Sequence, residues 1–397
     1  MSMHVWYGSD HWKEDDMYRR TVTARACATA LAVALGATLM GACGASGQTK
    51  PATGNSNTST SPELTAALSD YQKFTQTQPA PQVQTLPMRP PSDRTITIQT
   101  CPLPVCKTTS DAAREAALKL GWKVTYLQSD LTPQAYQAVL TQIVQSPPQL
   151  LALTPLVPNS FIATQLAALK RLGTKIVEIA PAGDTPTAGG PVEGVVAGPP
   201  DFSNRGTLMG DSVAADARGS ADTLFVWDPV LTAIWTPLKD ALTKAVTATG
   251  GKVAVLAVKQ ENIGKTIPAQ VTSYLQSHPN VKYVAFVIAD LAIGVPAALK
   301  SAGLPPIKII STGPQASTMA DIAAGDQWAS VGQENASAGY RAIDQLVRLT
   351  MTIPLGSLAN TPGWAQIFIK ENVTNTTAPP APKEFPQNYL TAWKIGQ

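Results

Sequence analysis

Histidine is almost missing from this chain, with 3 in 397 residues, and cysteine is nearly as rare at 4. His4 and His11 stand within the first dozen positions, so His278 alone serves the body. Zinc and other soft-metal sites need several His or Cys ligands together, and this inventory excludes them. A Ser-His-Asp triad would have to recruit His278, which sits in Gln276-Ser-His-Pro-Asn280, a polar turn after a helix, where a solvated residue is the expected role. Paired carboxylates at a shared turn, a Gly-x-Ser-x-Gly elbow and a phosphate loop are also missing. Gly206-Thr-Leu-Met-Gly210 is small residues on a helix. No enzyme, metal or cofactor is therefore expected. Charge is scarce too: charged residues make up 14% and the net charge is +3, so no basic face for nucleic acid is implied.

What is present begins with a leader. Met17, Tyr18, Arg19, Arg20 and Arg25 precede the apolar run Leu31-Ala-Val-Ala-Leu-Gly-Ala-Thr-Leu-Met-Gly-Ala-Cys43. A cationic start, an apolar core and the small pair Gly41-Ala42 make residues 1–42 a secretory signal peptide. The run falls short of the roughly 20 residues that cross a bilayer, and no later segment reaches that length either. With Cys43 after the small pair, its end resembles a bacterial lipobox, which implies cleavage before Cys43 and a lipid on that thiol. Glu14, Asp15 and Asp16 fit such a leader poorly, and a start at Met17 gives a cleaner one. The mature side-chain thiols would then be Cys101 and Cys106.

Residues 43–93 are rich in Thr, Ser, Asn, Gln and Pro, a composition expected to form a flexible stalk. One short helix, Glu63 to Phe74, is expected within it, with Ser61 as N-cap and Pro62 at the first helical position. About 300 residues follow, enough for two lobes each with its own core. Strand-like Thr95–Gln99, Lys123–Leu127, Leu150–Leu153 and Lys175–Ile179 alternate with helical Ser110–Leu120, Pro133–Gln145 and Asn159–Leu172. A Gly/Pro-rich break, Pro181–Pro200, interrupts the rhythm. It resumes with a helix from Phe202 and strands near Leu224, Val253, Tyr283, Ile307 and Ala329, then a helix over Asn335–Thr350, a strand over Gln366–Lys370 and a Pro-rich tail. Two runs of βα units predict an α/β fold: two doubly wound parallel-sheet lobes joined by a multi-strand hinge. The expected division is 94–199 with 334–353 as the first lobe, and 200–333 with 354–397 as the second.

Several segments carry a family resemblance. They are Ala117-Leu-Lys-Leu-Gly-Trp122, Thr154-Pro155, Leu172-Gly-Thr-Lys-Ile176, His278-Pro-Asn-Val281, Ala292-Ile-Gly294, Ala302-Gly303, Ala324-Gly325, Gly332-Gln333 and Ile369-Lys-Glu-Asn-Val373. In this order and spacing, Thr95 to about Thr350 resembles the type I periplasmic binding proteins, the ribose-binding-like receptors of ABC importers. The resemblance implies a monomeric substrate-binding protein that captures a small organic solute by hinge closure and passes it to an ABC permease. With the lipobox, it would be tethered to the outer face of the cell membrane through the lipid anchor only. A sensory co-receptor of the same fold, presenting ligand to a membrane kinase, fits the sequence equally. The positions where sugar-binding members grip hydroxyls are occupied by Ala180, Pro181, Ile288, Gly313 and Thr154, with only Gln333 in place, although a small shift would restore a carboxylate at Asp290. This lining predicts a ligand less hydroxyl-rich than a free sugar.

The expected ligand residues are Thr154 and the Cys101–Cys106 loop on the first lobe, with Trp227, Asp228, Trp235 and Asp290 on the second and Gln333 at a hinge crossing. Trp328 is a weaker choice, because core burial is tryptophan's commonest role. Asp201-Phe202 falls at another crossing, where the Asp caps a helix or the helix N-terminus takes an anionic group. Cys101 and Cys106, with Pro102-Leu-Pro-Val105 between them, are expected to pair in an oxidising compartment, the alternative being two buried thiols.

Overall fold

The computed structural model describes residues 61–395 other than 184, 334, 379 and 383. The signal segment and Cys43 lie outside the described residues. In chain order the elements are α1 (Pro62–Phe74), β1 (Thr95–Thr100), α2 (Pro104–Lys119), β2 (Lys123–Gln128), α3 (Pro133–Gln145), β3 (Leu150–Leu153), α4 (Ala163–Arg171), β4 (Lys175–Ile179) and β5 (Val192–Val196). Then come α5 (Pro199–Ala217), β6 (Asp222–Trp227), α6 (Thr232–Ala248), β7 (Lys252–Ala257), α7 (Ile267–Ser277), β8 (Tyr283–Phe286), α8 (Val295–Ser301), β9 (Lys308–Thr312), α9 (Ala316–Ala324), β10 (Ala329–Gln333), α10 (Asn335–Thr350), β11 (Ala365–Ile369) and α11 (Phe385–Ala392).

The strands form two sheets. The first runs β2-β1-β3-β4-β5, all parallel, and the second β11-β10-β9-β8-β6-β7, parallel except for β11 against β10. Continuous apolar strands such as Leu150-Leu-Ala-Leu153, buried at every position, are what a parallel sheet covered on both faces demands. Strand order reverses direction between β1 and β3 in one sheet and between β6 and β8 in the other. The carboxyl ends beside such switch points are where open α/β sheets leave a crevice.

Two close helix contacts hold the lobes in shape. A Cβ on Gly206 of α5 would stand 2.1 Å from the Leu238 carbonyl oxygen of α6, so only glycine permits that approach. Gly339 of α10 meets α2 in the same way, 2.3 Å from the Thr109 carbonyl oxygen. Hence α5 belongs with the second sheet, and α10 returns to the first.

The structure departs from the sequence expectations in several places. β5 lies inside the Gly/Pro-rich break, and α2 begins at Pro104, whose lack of an N–H costs nothing in a first turn. The tail is not wholly part of the second lobe. α11 lies on α10, and Trp393 is fully buried against Tyr340 in the first-lobe core, ring centroids 6.0 Å apart. From Ser61 onward the expected stalk is an ordered strap instead of a flexible tether. The Ser61 hydroxyl caps α1 through the Leu64 N–H, α1 packs on α5 and β11, and Leu86 is buried in the first-lobe core. Among the described residues no helix is long and apolar enough to cross a membrane.

Candidate functional site

A cavity lies between the carboxyl edges of the two sheets. The first lobe supplies Val105 and Cys106 after β1, Thr154 and Leu156 after β3, and Ile179-Ala180 at the end of β4. The second supplies Leu231, Ile234 and Trp235 beyond β6, Ile288 after β8, and Phe202 and Arg205 from the first turns of α5. Gln333, Asn335 and Ala338 close the hinge end. The walls are overwhelmingly hydrocarbon and aromatic.

Three of the residues expected from sequence, Thr154, Trp235 and Gln333, come together here. Trp235 is 8% exposed and meets Phe202 edge-on at 5.5 Å between centroids. Its indole N–H is buried and has no hydrogen-bond partner. Thr154 is held by its backbone N–H, which donates to Gln99 Oε1 at 3.0 Å. Gln333 takes a hydrogen bond from the Arg205 guanidinium on its Oε1 and gives one from Nε2 to Asn335 Oδ1, so its amide is engaged at both ends. The Arg205 guanidinium also lies 4.4 Å over the Phe202 ring, a cation–π contact.

The Cys101–Cys106 loop reaches the cavity too. A disulfide joins the two, Cα atoms 5.6 Å apart, linking the end of β1 to the first turn of α2. Cys106 faces the cavity, while Cys101 is buried behind it.

Trp227, Asp228 and Asp290 do not line the cavity. Trp227 packs on Phe225 at 6.3 Å under the Lys239 ammonium, 5.5 Å from its ring. The Asp228 carboxylate accepts the Val230 and Gln260 backbone N–H groups at 2.9 Å each, which spends it on folding the loop. Asp290 lies two residues beyond Ile288 in a 3₁₀ turn, its carboxyl pushed above the usual range by burial. Ile288 takes the lining position where a carboxylate was sought. Trp328 sits between Tyr71 and Tyr283, away from the cavity. Asp201 is also committed: it accepts the Gly363 N–H at 2.6 Å and pairs with Arg341 at 3.5 Å, pinning two crossings together.

Arg205 and Ile234 were missed. Both lie inside helices, away from the strand ends that guide a search by motif. Arg205, four residues after Asp201, resembles an ordinary exposed i,i+4 pair until the fold buries both.

A family model described as "Periplasmic binding protein domain" matches residues 102–351. This chain belongs to the periplasmic binding protein family. Solved structures agree on the fold. GanP, a glucose-galactose binding protein from Geobacillus stearothermophilus, is 18% identical with a TM-score of 0.61, covering 71% of this chain and 99% of its own. An ABC transporter solute binding protein from Mycobacterium smegmatis with bound glycerol is 19% identical with a TM-score of 0.61, covering 73% and 99%. One from Burkholderia graminis in complex with D-arabinose is 14% identical with a TM-score of 0.60, covering 72% and 97%. No curated protein sequence matches the chain. Periplasmic binding proteins of this fold are two α/β lobes around a cleft, and the cavity described above occupies that cleft. At these identities the likeness extends to the fold and not to the lining.

Proposed function

We propose that this periplasmic binding protein is the extracytoplasmic, lipid-anchored receptor of an ABC importer, and that it captures a small organic solute less polar than a free sugar. One observation carries the reading: the cavity takes walls from both lobes, so a ligand bound there contacts both. Such a ligand stabilises the closed arrangement relative to the open one, and a permease that recognises only the closed form then receives loaded protein. Cys43 supplies the tether.

Protein purified from its native host under mild conditions should release one small molecule on denaturation, near one per chain, identified by mass spectrometry. A chain that retains nothing, and whose melting temperature no extract of the host medium raises, is not a solute receptor. The tether is tested separately. Cys43→Ser should abolish incorporation of labelled fatty acid, and unchanged labelling removes Cys43 as the anchor.

A further inference from the structure

The strap ahead of β1 is bonded to both lobes. On the second lobe, α1 packs on α5 and β11, and the Tyr71 ring stacks on Trp328 at 6.5 Å. The Asn372 side-chain amide donates to the Thr75 carbonyl at 2.7 Å. The Gln78 N–H donates to Gln366 Oε1 at 2.9 Å, and Trp364 Nε1 donates to the Gln78 carbonyl at 3.2 Å. The first lobe takes over a few residues later. Arg348 Nη2 donates to the Gln84 carbonyl at 2.7 Å, the Leu86 N–H to the Ala392 carbonyl at 2.9 Å, and Trp122 Nε1 to the Pro91 carbonyl at 2.8 Å. The Leu86 side chain is buried in that core.

Between these two sets of bonds runs Pro79-Ala-Pro-Gln-Val83. It forms neither helix nor strand, and its two prolines restrict the backbone. From Gln78 to Gln84 such a segment reaches about 20 Å at most, whatever the lobes do. It runs beside the crossing from α10 to β11, lining one depression with Thr361, Gly363 and Trp364. The tail crosses from β11 to α11 too, but over the longer segment 373–384.

We propose that the strap is a brace across the hinge. Its docked ends hold the lobes in the placement in which both wall the cavity, and separating the lobes requires one end to let go. Rotation about the hinge moves Trp364 and Gln366 relative to Arg348 and Ala392, and a short, proline-stiffened link cannot follow both. The brace therefore lowers the population of the separated arrangement without touching a ligand. This goes beyond the receptor reading, because it acts on the empty protein.

The test uses the full chain in detergent, without ligand. Spin labels go onto keto-bearing residues introduced in place of Phe161, after β3, and Val230, after β6, both exposed and on opposite lobes. The native cysteines are left untouched. With the parent strap, the separated arrangement should hold under about 10% of molecules. Eight Gly and Ser residues inserted between Pro81 and Gln82 leave both docked ends intact and remove the restraint, so that share should rise severalfold, as a shift to longer label distances. Leu86→Asp, which expels the first-lobe end, should give the same shift. An unchanged distribution in the lengthened chain overturns the brace, and a shift to shorter distances makes the strap a prop that keeps the lobes apart. Comparable shares of both arrangements in the parent overturn it as well. Amide hydrogen exchange on the unmodified chain needs no variant: Gln78 and Leu86 should both be protected, and fast exchange at either removes that end of the brace.

Discussion

Around the cleft, the chain buries Phe202, Trp235, Leu156 and Ile288 about open space and leaves an indole donor unpaired. Around α10 and the strap it buries charge and pairs it closely. Arg348, 2% exposed, donates from Nε to Asp344 Oδ2 at 2.8 Å and from Nη2 to the Gln84 carbonyl at 2.7 Å. Trp393 Nε1 donates to Asp344 Oδ1 at 2.8 Å, and Arg341 reaches both Asp201 and the Thr361 carbonyl. The two regions hold similar side chains, including a tryptophan each, with opposite outcomes. The Trp393 N–H is satisfied inside the protein, whereas that of Trp235 is not. Where the chain holds α10, α11 and the strap together, the Arg348 and Trp393 donors meet acceptors within the protein.

The largest break in this comparison comes from the paired region. Asp344→Ala removes the acceptor of both Arg348 and Trp393 and leaves a buried guanidinium without its counter-charge. A buried pair need not be more stable than an apolar substitute, but deleting one partner costs about 3–5 kcal/mol. Urea denaturation should show a loss of that size, together with release of the strap and α11 to proteolysis. A loss below about 1 kcal/mol would mean that α10 does not depend on this network.

These particulars mark what the sequence could reveal. α3, β3 and β4 stand where their apolar periodicity and punctuation put them, because local pattern and burial agree. β5 was hidden because Gly194 interrupts its apolar run: a Cβ there would stand 2.1 Å from Gln345 Oε1, a reason that only the packed α10 makes visible. α11 and Leu86 carry no local signal that they dock on the first lobe. In the site, Thr154 follows β3 beside the reversal of strand order, so topology points to it, whereas Gln333 ends β10 away from the reversal. Trp227 also ends a strand but packs against Phe225 and Lys239. Which way a strand-end side chain turns depends on neighbours remote in sequence, and that is the part a single chain of letters does not carry.

A smaller effect comes from the disulfide on the cleft side. Cys101–Cys106 closes a short loop, so its stabilisation is modest, about 2 kcal/mol on chain-entropy grounds. Its position at the end of β1 gives it a second consequence. Reduction frees the first turn of α2, which carries Val105 and Cys106 into the cavity wall. Reductant should therefore weaken ligand binding more than its effect on the melting temperature suggests, the reverse of the pattern for Asp344→Ala. Alkylation of denatured, unreduced protein checks the premise, since labelling at both cysteines removes the bridge from the argument.

The smallest expected effect lies at the other end of the strap, where α1 meets α5. Burial, aided by the nearby negative charge of Asp70, pushes the Asp211 carboxyl up from 3.8 to about 6. The folded protein thus holds a proton that the unfolded chain has released over this interval. Stability from this group is fully present below about pH 4 and is lost as pH rises through about 6. At neutral pH, α1 docks against an ionised and partly buried carboxylate. Asp211→Asn removes the titration, so the variant should match the parent near pH 4 and exceed it above pH 6.5. The gain should be about 1 kcal/mol, allowing for solvent screening of the exposed part of the group. Denaturant midpoints for the two proteins across that range decide the matter. Parallel curves at every pH would show that the α1 contact tolerates the charge, and the strap would then be well satisfied along its whole length.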